Sequence, residues 1–454
     1  MLTKNQIVTL EITGMTTEGN GVGRHEGFAV FVPLTVVGDT AEVQLTKVLR
    51  SYAFGILHKL LIPSPDRIES DCPVFERCGG CVFRHMTYEA ECAVKEGFVR
   101  DAFTRIGKLS PVFEPILPCG QVDGYRNKAQ YPAGVGADGQ AVCGFFAPRS
   151  HRIVPFTDCR LQPAVFAQVT DAVMAYVHER DIPPYDEAAH KGLLRHIYLR
   201  QGAHSGQMQV CLVVTKRCER EFAPLAEALM EQFDFVESVV LNINTERTNV
   251  ILSSRCKTLA GSDVIADTMC GNRIRLSPLS FYQVNTVQAE RLYGIVGEYA
   301  ALTGGETVLD LYCGAGTIGL SLAHRAGTVI GVESVAQAVE NARENAAANG
   351  IANARFICAD AADAAARLRK EGVSPDVVVL DPPRKGCDEA LLRTVADMRP
   401  SRIVMVSCNP ATAARDCALL KGMGYTAARV RAVDMFARTG HVETVALLTK
   451  RGLI

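Results

Sequence analysis

Residues 308–319 have the sequence Val-Leu-Asp-Leu-Tyr-Cys-Gly-Ala-Gly-Thr-Ile-Gly. The apolar run 308–312 predicts a buried strand, and 317–325 predicts the helix that follows it. Between them, the spacing Gly-x-Gly-x-x-Gly is typical of a loop that turns tightly and lets a ligand approach the backbone. On its own this spacing is weak evidence, because it does not identify the ligand.

Strands and helices alternate around this stretch, from about residue 276 to the end of the chain. Helices are predicted over 283–302 and 336–349. The predicted strands are 308–312, 329–332, 355–358, 377–380, 403–406 and 444–448. Such alternation predicts an α/β fold with a mostly parallel, doubly wound, Rossmann-like sheet.

Polar side chains stand at the carboxyl ends of these predicted strands, where open α/β sheets bind ligands. Glu333 could accept hydrogen bonds from both hydroxyls of a ribose. Asp360 could meet an adenine ring or cap the helix that follows it. Asp381 and Cys408 end two further strands. The sequence therefore predicts one site that holds a cofactor beside a thiol nucleophile.

The glycine loop could serve either NAD or S-adenosylmethionine. Asp310 comes just before the loop, where it could face the cationic amine of a methionine. No partner for a phosphate is evident, and the thiol of Cys408 has no role in hydride transfer. These features favour S-adenosylmethionine.

The composition sets outer limits on the rest of the chain. Its 454 residues fit about three domains. The formal net charge of −1 gives no sign of a polyanionic partner, although a local basic face would not show in the total. We find neither a signal peptide nor an apolar run long enough for a membrane span. We therefore predict a cytoplasmic protein with no membrane contact.

Two further domains are predicted before the α/β domain of 276–454. Residues 1–60 contain short β-rich runs separated by glycine turns, which predicts a barrel of the oligonucleotide-binding type or another small β-barrel. Residues 61–275 predict a central α+β domain, with a helix over 88–106 and strands that include 208–215 and 250–253.

The chain has sixteen cysteines, and four of them suggest a metal site. Cys72, Cys78 and Cys81 lie close together, and Cys159 follows much later. Disulfides are not expected in a cytosolic chain. The pair Cys78 and Cys81 alone could be a redox motif, but it lacks the usual strand–helix setting. Four thiolates could bind tetrahedral zinc or an iron–sulfur cluster, and spacing does not separate these two.

Several segments of the chain resemble the signature segments of the RNA 5-methyluridine methyltransferases. They are Phe281-Tyr282-Gln283-Val284-Asn285, Asp381-Pro382-Pro383-Arg384-Lys385-Gly386, Ser407-Cys408-Asn409-Pro410 and Gly440-His441-Val442-Glu443-Thr444. Residues 1–60 resemble a TRAM domain, and the four cysteines resemble the iron–sulfur site of that family. This layout is similar to the bacterial 23S ribosomal RNA branch, whereas the transfer-RNA branch lacks both N-terminal features.

The resemblance implies a role for each residue that matches a family position. Cofactor-binding positions for S-adenosylmethionine would be Gln283, Tyr312, Glu333, Asp381 and, less uniformly, Asp360. Cys72, Cys78, Cys81 and Cys159 would hold a [4Fe-4S] cluster with a structural or RNA-shaping role. Two departures are Met405, where many members have tyrosine, and Thr317, where some have an asparagine that contacts the cofactor.

The implied chemistry uses Cys408 and Glu443. The thiolate of Cys408 would add to carbon 6 of uracil, which makes carbon 5 nucleophilic toward a methyl group. Glu443 matches the general base of the family and would remove the proton from carbon 5. Asp381 could position the base edge. The target nucleotide would have to be extruded from folded RNA to reach the thiol.

The predicted partner is 23S ribosomal RNA, and we infer no protein partner. Basic and aromatic residues of the central domain could contact it: Arg126, Lys128, Arg149, Arg152, Arg195, His196, Arg200, Tyr125, Tyr131, Phe145 and Phe146. One alternative is an RNA-binding ribosome-assembly protein with a vestigial catalytic domain. A nicotinamide-dependent oxidoreductase is disfavoured, because nothing supplies an acid for hydride transfer.

Overall fold

The computed structural model describes residues 2–452. Residues 7–62 form a closed five-stranded barrel with the strand order β1-β2-β3-β5-β4. Its strands are β1 (Ile7–Met15), β2 (Asn20–His25), β3 (Phe28–Pro33), β4 (Thr40–Val48) and β5 (Tyr52–Ile62). Alternate residues such as Leu10, Val32 and Val43 fill the interior, as the period of two in a strand requires. The predicted small barrel is confirmed.

A helix and a strand link the barrel to the last domain rather than to the central one. The helix α1 (Tyr88–Asp101) continues as a π-helical turn (Ala102–Ile106), which agrees with the predicted helix over 88–106. The strand β6 (Val112–Leu117) then pairs in parallel with residues 429–433 of the C-terminal sheet. The predicted boundaries of 61–275 therefore need a correction, since this strand completes the edge of a sheet formed far along the chain.

The central domain is a seven-stranded sheet with the order β13-β12-β11-β10-β7-β8-β9. Its elements are β7 (Lys128–Val135), β8 (Ala141–Phe146), β9 (Ile153–Pro155), α2 (Val165–Glu179), β10 (Leu194–Gln201), β11 (Met208–Val214), α3 (Glu219–Gln232), β12 (Val236–Ile243) and β13 (Cys256–Gly261). The predicted strand over 250–253 is wrong. The Asn244 side chain donates to the carbonyls of Val250 and Ile251, so this segment is held by a side chain and not by a ladder.

The C-terminal domain begins with a hairpin and continues with alternating helices and strands. Its elements are β14 (Ile265–Met269), β15 (Asn272–Leu276), α4 (Thr286–Ala300), β16 (Thr307–Leu311), α5 (Thr317–Leu322), β17 (Thr328–Glu333), α6 (Ala336–Ala348), β18 (Ala354–Cys358), α7 (Ala361–Lys370), β19 (Val377–Leu380), α8 (Glu389–Asp397), β20 (Arg402–Ser407), α9 (Pro410–Gly422), β21 (Tyr425–Val433) and β22 (Glu443–Lys450). The hairpin packs into the core of this domain, although the predicted boundary assigns most of it to the central one.

The C-terminal sheet has eight strands in the order β18-β17-β16-β19-β20-β22-β21-β6. The strands from β18 to β20 pair in parallel, and β22 runs antiparallel to both of its neighbours. Two apolar clusters cover the two faces, as expected for a doubly wound sheet. Within residues 2–452, no helix combines the length and apolarity that a membrane crossing requires.

Candidate active site

The strand order brings the predicted site residues to one edge of the sheet. The central neighbours β16, β19 and β20 end at the glycine loop, at Asp381 and at Cys408 respectively. Strand β22 is antiparallel to β20, so its first residue, Glu443, lies at the edge where β20 ends. A ligand outside the carboxyl ends of these strands would therefore meet residues from four chain segments.

Each glycine of the loop has a different task. The amide of Gly319 donates to Asp310 Oδ2 over 2.9 Å, and a side chain there would strike the same carboxylate. Gly316 has a φ of +79°, and a Cβ there would lie 2.9 Å from Phe356. A Cβ on Gly314 would meet no atom within 4 Å. The loop thus packs closely against the protein on two sides and leaves open space at Gly314.

Asp310 is fully buried beneath this loop. Burial raises its pKa to about 7, and its Oδ1 atom has no hydrogen-bond partner among residues 2–452. In the structure, Asp310 accepts the hydrogen bond that holds the amide of Gly319 in place. Its contact with a methionine amine stays a prediction.

The carboxylate of Glu333 lies against the same loop. Its Oε2 accepts from the amide of Gly314 over 3.2 Å, and its Oε1 accepts from the amide of Val335 over 2.9 Å. It therefore stands at the open side of the loop, where the sequence predicts a ribose. Asp360 accepts a hydrogen bond from the amide of Ala362 over 2.8 Å and so caps α7. Of the two roles predicted for Asp360, the structure shows the helix cap.

Tyr312 and Gln283 complete the set of predicted cofactor residues. Tyr312 follows β16 with a left-handed φ of +67°. Gln283 lies in the irregular segment that leads into α4, which begins at Thr286 and not at residue 283 as predicted. The carbonyl of Gln283 accepts from Asn127 Nδ2 over 2.8 Å, which ties this segment to the central domain.

Cys408 and Glu443 occupy facing positions at the end of an antiparallel pair. The last register pair of β20 and β22 joins Ser407 to Thr444, so the next position on each strand carries Cys408 and Glu443. The half-buried thiol and the buried carboxylate therefore lie at the same end of this strand pair, close enough for the charge of Glu443 to act on the thiol.

Arg384 is a polar neighbour of Cys408 and Glu443. It belongs to the sequence motif 381–386, but the sequence alone predicts no role for it. Its Nη2 atom lies 2.9 Å from Nδ1 of His441, two residues before Glu443. Its carbonyl accepts from Asn409 Nδ2 over 3.2 Å. Arg384 thus connects the segment after Asp381 with the segments that carry the thiol and the carboxylate.

Burial raises the pKa of each of the three acidic groups at this edge of the sheet, and one neighbouring cation opposes that effect at Cys408. Burial, followed by the charge of Asp381, raises the pKa of Glu443 to about 8. Burial raises the pKa of Asp381 to about 7. Burial and the charge of Glu443 raise the pKa of Cys408, while the Arg384 guanidinium opposes that rise. Arg384 is therefore the group that promotes the thiolate.

The segment before Glu443 is fixed by contacts from distant parts of the chain. The fully buried Lys95 of α1 donates over 2.7 Å to both Glu91 and Asp434. The carbonyl of Arg438 accepts from the amide of Val82, next to Cys81. A Cβ on Gly440 would strike the carbonyl of Thr17 in the barrel. Apart from the pair Glu91 and Lys95 within α1, these contacts join residues hundreds of positions apart, so sequence patterns did not reveal them.

All four cysteines of the predicted cluster line one cavity, together with the aromatic side chains of Phe75, Phe145 and Phe156. Burial raises the pKa of Cys81 to about 11 and that of Cys159 to about 12, and the neighbouring thiols add to both shifts. Across residues 2–452, no three or more Cys, His, Asp or Glu side chains are arranged to hold a single metal ion.

Several predicted RNA-contacting residues are buried instead. Arg195 and Arg200 are 3% and 2% exposed and donate to backbone carbonyls, among them those of Asn244 and Ser280. His196, Tyr125 and Tyr131 are also buried. The prediction of Arg195, His196 and Arg200 as surface contacts is wrong, because strand β10 is covered on both faces. For Tyr125 and Tyr131 the structure favours the alternative of core aromatic residues. Arg149 and Arg152 are exposed, as predicted.

Comparison with known proteins agrees with this architecture. Residues 185–451 match the family described as tRNA (Uracil-5-)-methyltransferase, and residues 2–58 match the TRAM domain. An uncharacterized RNA methyltransferase of Halalkalibacterium halodurans is 42% identical over 446 residues, which cover 98% of this chain and 97% of the relative. One from Clostridium tetani is 40% identical over 449 residues, covering 99% and 97%.

A solved structure is similar over nearly the whole chain. It is the tRNA (uracil-54, C5)-methyltransferase of Pyrococcus abyssi in complex with S-adenosyl-L-homocysteine. The TM-score is 0.77 at 27% sequence identity, and the match covers 97% of this chain and 99% of that chain.

Together, the doubly wound sheet, the glycine loop and these matches define an S-adenosylmethionine-dependent methyltransferase. The chain belongs to the RNA uracil-5-methyltransferase family and carries a TRAM domain at its N-terminal end.

Proposed function

We propose that this enzyme methylates carbon 5 of uridine in 23S ribosomal RNA through a covalent adduct between Cys408 and carbon 6 of the base. The observation that carries the proposal is the facing placement of Cys408 and Glu443 at the strand-end edge, next to Asp381. It provides a nucleophile and a proton acceptor within reach of one pyrimidine ring.

The first step is activation of carbon 5. The thiolate of Cys408, favoured by the Arg384 guanidinium, adds to carbon 6 and turns carbon 5 into the nucleophilic end of an enolate. A soft thiolate suits this step because it adds readily and can later be expelled. Asp381, at the end of the neighbouring strand, positions the edge of the base.

The residues around the loop form a suitable cradle for the methyl donor. We assign Gln283, Tyr312, Glu333, Asp360 and Asp381 to this cradle. Open space at Gly314 beside the carboxylate of Glu333 fits a ribose. When bound, S-adenosylmethionine supplies the methyl group that carbon 5 accepts.

The last step restores the aromatic base. Glu443 takes the proton from carbon 5, and the electron pair of that bond expels the Cys408 thiolate from carbon 6. Glu443 must be ionised for this step, and its buried place next to Asp381 gives it a pKa of about 8, close to the range in which a general base works well.

We propose that Cys72, Cys78, Cys81 and Cys159 hold a [4Fe-4S] cluster. A zinc ion needs its sulfurs about 2.3 Å from one common point, and the thiols are not arranged for a single ion. A cube of four irons is larger and takes more widely spaced thiolates around an apolar cavity, such as the one these cysteines line. The group would tie two distant chain segments together without taking part in methyl transfer.

We also assign parts of the chain to separate tasks. Residues 1–60 bind RNA. Residues 61–275, without β6 and the hairpin β14–β15, bind RNA and carry the cluster. Residues 276–454, together with β6 and that hairpin, bind the cofactor and perform the chemistry. Ribosomal RNA as substrate places the enzyme in the cytoplasm. The full-length similarity to a transfer-RNA enzyme makes transfer RNA the second substrate to test.

The test is mass mapping of 23S ribosomal RNA and of transfer RNA from cells with and without the gene. We expect 5-methyluridine to disappear from a site in 23S RNA, to return with the wild-type gene and to stay absent with Cys408→Ala. Loss from transfer RNA alone would reassign the substrate. No loss from either would contradict the proposal.

A further inference from the structure

The loop between β21 and β22 leads directly to Glu443. Val433 at the end of β21 pairs with Glu443 at the start of β22, so residues 434–442 connect the two strands. Connecting segments almost always run over the protein surface. Most of the first six residues of this loop are buried instead, with at most 5% exposure for Asp434, Met435, Ala437 and Thr439. The loop is therefore packed into the protein beside the proposed general base.

Arg438, in the middle of this loop, has a strained backbone conformation. Its φ is +69°, in the left-handed region that favours glycine. A residue with a Cβ keeps such a conformation only where the surrounding structure over-determines it, and residues of this kind cluster at active sites. The contacts of Arg438 must therefore offset this strain.

The main chain of Arg438 is held from two sides. Its carbonyl accepts hydrogen bonds from the amides of Val82, over 2.9 Å, and Phe83, over 3.2 Å. These two residues directly follow Cys81. Its amide donates to Oε1 of the fully buried Glu91 over 2.6 Å. The peptide groups on both sides of the strained residue are thus fixed by other parts of the chain.

The side chain of Arg438 adds a third attachment. It is 11% exposed, and its Nη1 atom donates to the carbonyl of Met86 over 3.0 Å. The same atom lies 3.5 Å from Oε2 of Glu91, and the guanidinium carbon lies 5.6 Å from the centre of the Tyr88 ring. A single residue therefore binds the loop to helix α1 and to the segment that precedes it.

The loop is also confined on the side of the barrel. Gly440 approaches the barrel so closely that a Cβ there would strike the carbonyl of Thr17. Between this contact and those of Arg438, the chain has only two residues left before it enters β22 at Glu443. A change in the conformation of Arg438 would therefore be passed on to the start of β22.

We propose that Arg438 is a positioning residue for the removal of the carbon-5 proton, because its contacts hold the loop in the conformation that keeps the Glu443 carboxylate at the base. The inference rests on the proposed function of Glu443 and assigns one step of that reaction to a residue that does not touch the substrate. Addition of Cys408 to carbon 6 takes place at the end of β20 and should not depend on Arg438.

The test follows the two steps separately in the full-length protein. The probes are total RNA from cells that lack the gene and S-adenosylmethionine with a tritiated methyl group. A denaturing gel separates labelled RNA that is bound to protein from labelled free RNA. Glu443→Gln is the reference, since it should form the labelled complex and fail to release the RNA. In Arg438→Ala, the complex should form at the wild-type rate and release RNA about 100-fold more slowly, as a misplacement of about 1 Å can cost.

Two further variants separate positioning from a general loss of stability. Arg438→Lys keeps a donor for the carbonyl of Met86 and should restore most of the release rate. Arg399→Ala is the matched control, because Arg399 also has a left-handed φ, of +58°, but is exposed and precedes the amino end of β20. Its release rate should equal that of the wild type.

Failure of this inference and failure of the reaction mechanism give different results. If Glu443→Gln accumulates the complex while Arg438→Ala releases RNA at the wild-type rate, or slows formation and release equally, Arg438 has no positioning role and the inference is overturned. If Glu443→Gln itself releases RNA normally, the proposed general base is wrong, and the role of Arg438 falls with it.

Discussion

At the scale of single residues, the chemistry of the site depends on a balance of charges around Cys408. Burial and the carboxylate of Glu443 oppose formation of the thiolate, and only Arg384 among the neighbouring charges favours it. The same guanidinium lies beside His441 and so links the surroundings of Cys408 to the segment that carries Glu443. The two reacting groups therefore influence each other's ionisation, and their titrations are coupled.

The raised pKa values predict how activity depends on pH. The proposed mechanism needs Cys408 as a thiolate and Glu443 as a carboxylate, and burial raises the pKa of both groups, so kcat/KM should rise as Glu443 ionises near pH 8 and keep rising at higher pH as the Cys408 thiol ionises. Asp381→Asn removes a negative charge that raises the pKa of Glu443, so the rise should move to lower pH. Initial rates of methyl transfer across the pH range measure both effects. An identical midpoint in the variant would contradict this assignment.

At the scale of elements, helix α1 is tied to the catalytic domain through a buried ion cluster. Lys95 and Glu91 are 0% exposed, and both contact the segment 434–438 that leads to Glu443. An isolated charge in such a place would be very costly, so each member depends on the others. Helix α1 therefore fixes the segment that leads to Glu443, the proposed general base.

Lys95→Met should be strongly destabilising. It leaves the carboxylate of Asp434 buried without its cation and Glu91 with only the more distant guanidinium of Arg438, at 3.5 Å, which costs about 3–5 kcal/mol and lowers the thermal midpoint by roughly 10 °C. Arg100→Met is the matched control, since Arg100 pairs with Glu96 at the same spacing on α1 but is 49% exposed. Its expected cost is below about 1 kcal/mol. Equal melting curves for the two variants would refute the buried cluster as a stabilising element.

At the scale of the whole molecule, local sequence determines some parts of the architecture and leaves others invisible. The glycine loop, the strands around it and the barrel follow from short apolar runs and turns, so sequence alone predicts them. Strand β6 pairs with β21, which lies more than 300 residues later in the chain, and no local sequence pattern predicts such a pairing. Arg195 and Arg200 look like surface charges until the tertiary structure covers them.

The edge of the C-terminal sheet that carries Asp381, Cys408 and Glu443 could be predicted in part from the sequence. The carboxyl ends of parallel strands lie at the same edge of a sheet. Because Asp381 and Cys408 each follow an apolar run, the sequence predicts that both lie at that edge. Glu443 lies before an antiparallel strand, and its pairing with β20 depends on a register that the sequence does not show. Family resemblance, not spacing, pointed to its role.

The cysteine cavity predicts the metal content of the whole protein. Protein purified without oxygen should contain iron and inorganic sulfide in equal amounts and show broad visible absorption. Cys81→Ser should lose both and melt at a lower temperature, because the proposed cluster would tie residues 72–81 to Cys159. The control Cys211→Ser changes a buried cysteine outside the cavity and should keep the iron. Stoichiometric zinc in place of iron would contradict the assignment.

Trapping with RNA that contains 5-fluorouridine tests the central claim most directly. In the presence of S-adenosylmethionine, methylated carbon 5 carries fluorine and a methyl group but no proton, so Glu443 has nothing to remove and the bond between sulfur and carbon 6 should persist. We predict a stable protein–RNA complex whose digestion yields a nucleotide attached to Cys408, and no complex with Cys408→Ala. A complex through another residue, or normal methylation by Cys408→Ala, would contradict the account.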